Sequence, residues 1–318
     1  MHLPIAPHLR VRGLPLSRTF TYTTIALVAF AGNSLLTRRA LDTHAIDAMS
    51  FMSLRLIAGA ITLVLLTGVR RATRAGSMTS AIALAGYALG FTAAYAHITA
   101  GIGALLLFGS VQLTMFAIGV IRGERPQVRD WLGLAVAMSG LWYLTWPGMA
   151  ASAPDAQGSL LMLAAGACWG IYSARGRSSP DATAETAGNF ARAVPIALVA
   201  SLFAMTIGTA HVTPRGALLA IVSGAITSGL AYSVWYAALP GLATWTAAIV
   251  QLAVPVMTAI AATWLLGEAP GARLLIAGSL ILGGVLIATS AAFATFATSA
   301  TSTMSRTAPP RLRRTPPR

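Results

Sequence analysis

Apolar residues do not alternate with polar ones along this chain. They come in long runs broken by short polar or arginine-bearing connections. A helix that crosses a bilayer needs about 20 consecutive, mostly apolar residues. That rule predicts ten helices, over 20–37, 46–68, 78–97, 101–121, 130–147, 158–175, 187–208, 215–237, 243–266 and 271–292. The first run follows Arg10, Arg12 and Arg18, and no small-residue cleavage site stands out after it. It reads as a retained anchor rather than a cleaved signal. Residues 1–19 form a short segment ahead of it. The stretch 293–318, rich in Ser, Thr, Pro and Arg, reads as a disordered basic tail suited to anionic lipid.

One stretch occurs twice. Gly123-Glu124-Arg125-Pro126, with Arg129 after it, returns 144 residues later as Gly267-Glu268-Ala269-Pro270, with Arg273 after it. Thr114 meets Thr258, Gly140 meets Gly284 and Thr145 meets Thr289 at the same offset. Two related halves follow, 20–147 and 158–292, each of five predicted helices. Glycine suits the left-handed residue just past a helix end, and proline suits the first helical position. Glu124 and Glu268 would then face the positive end of the next helix dipole. A second reading makes these glutamates groups that titrate or gate.

Composition supports the membrane reading. The chain is 56% hydrophobic and 9% charged, with mean hydropathy +0.72. A soluble domain carries about 25% charged residues. The net charge of +14 comes from arginines in loops and tails. That is a topology signal rather than a nucleic-acid face. With the N-terminus inside, sixteen arginines fall in inner segments and four outside, with Arg55 and Arg192 inside predicted helices. Both termini are then cytoplasmic. Five helices per half is odd, so the second half is inverted relative to the first. Inverted repeats place a solute site near the midplane, between halves that rock. The single Cys168 excludes an internal disulfide, and neither a metal-ligand set nor a phosphate-binding loop is present, so no cofactor is expected.

The order of these motifs resembles the EamA-domain branch of the drug/metabolite transporter superfamily. Trp169-Gly170, Arg55, the two Gly-Glu-x-Pro turns, Pro255 and the stretch from Gly103 to Met115 carry the resemblance, over roughly residues 20–292. It departs from the pattern at Ala31-Gly32-Asn33, where Trp-Gly is common, and at Val111, opposite Pro255. The resemblance implies an all-α inner-membrane secondary transporter, an exporter of amino acids or related small metabolites. It implies gradients rather than ATP, with protons as the coupling ion. Drug efflux and metabolite import are the neighbouring readings. A membrane enzyme is disfavoured because the eight acids are scattered, and a channel because the repeat is inverted.

Several polar groups inside apolar runs need partners or a cavity. Arg55 and Arg192 could hold a substrate carboxylate, or could satisfy backbone carbonyls and headgroups. Asn33, Gln112 and Gln251 could contact solute or tie helices together. Tyr95, Trp169, Tyr172, Tyr232 and Trp235 could line a solute path, or form an interfacial belt with His97 and Tyr236. Pro195 and Pro255 weaken their helices and mark elements that could move.

Overall fold

The computed structural model describes residues 16–123, 127–145, 154–176, 179–238, 250–251, 253–284 and 286–287. Every element among them is helical, apart from one isolated β-bridge between Ile46 and Val212. In chain order they are α1 (Leu16–Asp42), α2 (Ala48–Thr67), α3 (Val69–Arg74), α4 (Met78–Ala94), α5 (Ala100–Ile121) and α6 (Val128–Thr145). There follow α7 (Ala156–Gly176), α8 (Ala182–Thr206), α9 (Pro214–Ala238), α10 (Ala253–Leu265) and α11 (Ala272–Gly284). Ten of these sit on the ten apolar runs. Five (α1, α2, α5, α8 and α9) are long and apolar enough to cross a membrane, and α4, α10 and α11 are shorter apolar helices. The segments 243–249 and 288–292 of the last two runs lie outside the described residues, as do Glu124, Pro126 and the tail 293–318.

Local chemistry sets the helix ends. Asp47 caps α2 by accepting from the Met49 and Ser50 amides, at 3.1 and 3.0 Å. Gly68 ends α2 at φ +82°, a backbone shape that costs glycine least. Ser77, Asp181 and Thr213 cap α4, α8 and α9, and Pro214 opens α9. Several boundaries differ from the sequence expectation; α8, for one, begins at Ala182, five residues before the predicted 187. Helix α1 begins at Leu16 and runs on to Asp42, five residues past the predicted end, because Arg38 pairs with Asp42 one turn on at 2.9 Å. The basic connection after α2 also folds, as α3.

Small residues let the helices close. Helix α7 packs on both α4 and α5, α2 packs on α8 and α9, and α1 packs on α9 and α10. A Cβ at Gly166 would stand 2.7 Å from the Leu107 carbonyl oxygen, so only glycine allows α7 this close to α5. Gly224 likewise lays α9 directly onto the Arg55 carbonyl oxygen of α2. The perimeter is apolar and exposed, as at Leu65, Ile121 and Trp264. That is the inside-out pattern of a protein whose solvent at that surface is lipid.

Polar ties gather at the two ends of the bundle. At one end Glu268 binds Arg38, and Asp47 accepts from the His211 amide at 3.0 Å. At the other, the Asn189 amide oxygen accepts from the Ser77 amide at 2.8 Å, and Arg175 donates to Ser80 at 3.0 Å.

Candidate functional site

Arg55 is the largest fully buried side chain, at 2% exposure. It lies seven residues into α2, about 10 Å along the axis at 1.5 Å per residue. Its Nε donates to Ser228 Oγ at 3.2 Å, and its Nη2 donates to Tyr87 Oη at 3.2 Å. Its Nη1 is buried and has no partner among the described residues. The guanidinium carbon stands 5.0 Å from the Phe91 ring centre and 5.4 Å from that of Tyr87. These are cation–π distances.

Ser228 sits in a π-helical turn, Ala225–Leu230, set into α9. Such turns open the helical hydrogen-bond ladder and recur at functional sites. Asn33 of α1 stands at the same turn. Its Oδ1 accepts from Ser223 Oγ at 2.8 Å and from Thr227 Oγ1 at 3.3 Å. Three helices therefore meet here, α1 and α2 through Asn33 and Arg55, and α9 through its short hydroxyls.

A column of rings adjoins the guanidinium. Trp169 lies 4.8 Å from Tyr87, 5.4 Å from Tyr172 and stacks on Tyr232 at 5.2 Å. Tyr232 continues to Tyr236 at 6.5 Å, and Phe190 meets it edge-on at 5.9 Å. Tyr172 donates to Thr186 Oγ1 at 3.3 Å. Trp235 packs against Phe30 rather than the column, 6.0 Å away and edge-on. Tyr95 is fully buried and meets Phe91 edge-on at 4.8 Å. Gln112 and Gln251 are half-buried on their helices, and neither joins the hydrogen-bond set around Arg55.

Arg192, the other arginine inside a predicted helix, has a different environment from Arg55. Its Nη1 donates to the Ala75 and Gly188 carbonyls at 2.6 and 2.9 Å, and its Nη2 to the Thr73 carbonyl at 3.1 Å. It stitches the end of α3 to α8. Pro195 lies inside α8. Pro255 and Pro270 line an apolar groove of about 470 Å³ between α5, α10 and α11, away from Arg55.

The repeated turn keeps its glycines and changes the expected part of its glutamate. Gly123 and Gly267 have φ of +88° and +71°, as a helix end in the left-handed region requires. Glu268 does not cap the helix that follows it. Its Oε2 accepts from the Ala100 amide at 2.7 Å, at the N-terminus of α5, and its Oε1 accepts from Arg38 Nε at 2.9 Å. Arg38 also donates to the Tyr95 carbonyl at 2.9 Å. The turn carries the carboxylate across the bundle end, where the unpaired amides of α5 and the Arg38 cation outcompete the local dipole. Pro270 stands two residues before Ala272 instead of opening α11.

Tyr87, Phe91, Ser223, Thr227, Ser228 and Arg38 join these sites although the sequence reading did not single them out. The short polar run Thr227-Ser228-Gly229 inside an apolar helix was the available signal. No comparable signal marked Tyr87 or Phe91, because aromatic residues at helical spacing are commonplace in cores.

A polytopic helical membrane protein with a buried polar and aromatic seam is the class this architecture defines. Residues 156–290 match the EamA-like transporter family. An uncharacterised protein of Pseudomonas aeruginosa, PA1977, is 47% identical over 277 residues, covering 86% of this chain and 95% of its own length. The threonine/homoserine exporter RhtA of Escherichia coli strain K12 is 31% identical over 156 residues, covering 48% of this chain and 51% of that protein. A crystal structure superposes with TM-score 0.60 over 86% of this chain and 98% of its own, at 19% identity, a likeness of fold alone. The chain belongs to the EamA-like transporter family, and it is a multi-pass membrane protein.

Proposed function

We propose that the protein is a secondary transporter that exports amino acids or related small metabolites by alternating access. The observation that carries this reading is the seam itself. Arg55, Asn33 and Tyr87 come from the first half, Trp169, Tyr172, Tyr232 and Ser228 from the second, and they meet away from either bundle end. Midplane sites between repeats are how such carriers expose one solute to two sides. The pairing of helices supports two inverted five-helix repeats, 20–147 and 158–292. Helix α4 on α7 is the counterpart of α9 on α1, α5 on α7 of α10 on α1, and α2 on α8 pairs with itself. The name of RhtA supports export of amino-acid-like solutes. The arginine distribution supports an inner-membrane topology of ten spans with both termini cytoplasmic.

In this reading Arg55 and Asn33 contact the solute, the rings of Tyr87, Trp169, Tyr172 and Tyr232 pack against it, and protons supply the gradient. Tyr95 packs on Phe91 and Trp235 on Phe30 beside the column, and Arg192 holds α3 on α8. The test compares pools in medium and cells that produce the unaltered protein, Arg55→Ala or no transporter. A metabolite enriched outside only with the unaltered protein supports export through the Arg55 seam. Enrichment that persists with Arg55→Ala removes Arg55 from the path. Depletion of a solute from the medium reverses the direction. Counterflow in proteoliposomes with the identified solute then separates a carrier from a channel.

A further inference from the structure

We infer that Glu185 is an amine subsite at the far end of the ring column from Arg55, and that the seam takes an extended zwitterion. Such a ligand is a dipeptide, or an amino acid whose amine and carboxylate lie at opposite ends of its chain. This rests on the transporter reading above and names its substrate class.

Seven acids lie among the described residues, and six of them are in use. Asp42 and Glu268 pair with Arg38. Asp47, Asp155 and Asp181 accept from amides in the first turns of α2, α7 and α8, and Asp130 accepts from the Gln127 amide before α6. The Glu185 carboxylate has neither an ion pair nor a hydrogen bond among the described residues. The end of α8 does not require it. Asp181 already caps that end, and the Glu185 amide is bonded to the Asp181 carbonyl at 3.0 Å. The arginines at this end of the bundle are engaged elsewhere, Arg175 with Ser77 and Ser80, and Arg192 with three carbonyls. Glu185 is half-buried, and its charge acts on the hydroxyls of Tyr172 and Tyr236. The next residue, Thr186, accepts from Tyr172 at 3.3 Å, and Phe190, one turn further, meets Tyr232 at 5.9 Å. This face of α8 therefore runs along the ring column, with Glu185 at its end.

Arg55 stands at the other end, with a buried Nη1 that has no partner among the described residues. Helix α9 measures the gap between the two groups. Arg55 holds Ser228, and Glu185 lies by Tyr236, eight residues on, which is about 12 Å at 1.5 Å per residue. A hydrogen bond of about 3 Å at each end leaves about 6 Å between the ligand's own charges. Two extended residues span at most about 7 Å. An α-amino acid carries both charges on one carbon. It reaches Arg55 or Glu185, not both, and its second charge goes unanswered in a site sheltered from water, where that is costly. An extended zwitterion answers both groups at once. Between them, Trp169, Tyr172 and Tyr232 present ring faces that suit an apolar or aromatic side chain.

The test is a probe series on the purified full chain, read by quenching of tryptophan fluorescence. The four probes are alanyl-phenylalanine, its N-acetyl form (no amine charge), its C-terminal amide (no carboxylate) and phenylalanine (both charges on one carbon). Alanyl-phenylalanine should bind at least tenfold tighter than each of the other three. Glu185→Gln should abolish its advantage over the N-acetyl form and keep its advantage over the amide. Arg55→Gln should do the opposite, a crossed pattern that a merely structural role for either residue would not produce. The series is complete on the unaltered chain, so it does not depend on either variant folding. Phenylalanine or the N-acetyl form binding as tightly as alanyl-phenylalanine overturns the inference. So does absence of binding by all four probes, or a folded Glu185→Gln that still prefers the free amine. Counterflow of phenylalanine in proteoliposomes with no preference for the dipeptide overturns the inference and leaves the transporter reading standing. Dipeptide preference without counterflow upholds the inference and overturns the transporter reading.

Discussion

Glu268→Gln separates a latch from a passive turn. The Glu268 carboxylate accepts two hydrogen bonds from opposite sides, Arg38 Nε on one oxygen and the Ala100 amide on the other. A glutamine has one carbonyl oxygen, so it satisfies one donor and points its own N–H₂ at the other. The ion pair is lost as well, and both side chains are only 14% exposed, so water repairs little of it. A hydrogen bond to a charged group contributes about 1.5–3 kcal/mol. The closed end should lose about 2–3 kcal/mol, which is roughly a thirty- to hundredfold shift toward the open arrangement at 1.4 kcal/mol per factor of ten. The assay is labelling of a cysteine at Ser34 by a membrane-impermeant thiol reagent, in a Cys168→Ala background. Ser34 is 2% exposed, one turn below Arg38 on α1. Labelling from the Glu268 side should quicken by a factor in that range. The charge swap Arg38→Glu with Glu268→Arg should restore part of the protection only, because the Ala100 N–H would then face a cation. Unchanged labelling in Glu268→Gln, with the protein folded, would refute the latch.

Arg192→Ala should lower thermal stability by about 2–3 kcal/mol, because the Ala75 and Thr73 carbonyls lose their donor, while solute preference in transport stays as it was. Gly166→Ala should destabilise by about 1–3 kcal/mol or more, as its Cβ meets the Leu107 carbonyl at 2.7 Å, whereas Gly278→Ala, with Leu105 at 3.8 Å, should be nearly neutral in the same unfolding assay. Burial pushes the Asp47 carboxyl up, but hydrogen bonds from Ser50, His211 and Met49 outweigh it and hold the group below the ordinary carboxylate value. A depressed carboxylate adds stability that is complete above its unfolded pKa, about 3.9, and is lost as pH falls through the lowered one. Thermal stability should therefore fall in acid below about pH 4, and Asp47→Asn should flatten that dependence.

The sequence alone determined the class. Runs of 18 or more apolar residues have one stable form in lipid, because each backbone amide must be bonded within its own helix. The positive-φ glycines at 123 and 267 were legible for the same local reason. Arg55 and Asn33 were legible as anomalies, since a charge or amide in an apolar run demands an explanation. Only the tertiary structure decided what that explanation is. Arg55 and Arg192 are both arginines inside predicted apolar helices. One faces rings and hydroxyls with a donor to spare, and the other is spent on three carbonyls. Nothing local distinguishes them, because apart from the Gly188 carbonyl one turn from Arg192 their partners lie 32 to 173 residues away along the chain. Glu268 shows the same limit. Its turn is local chemistry, but Arg38 and Ala100 reach it across 230 and 168 residues, and a one-dimensional pattern cannot report which helix ends come together in space.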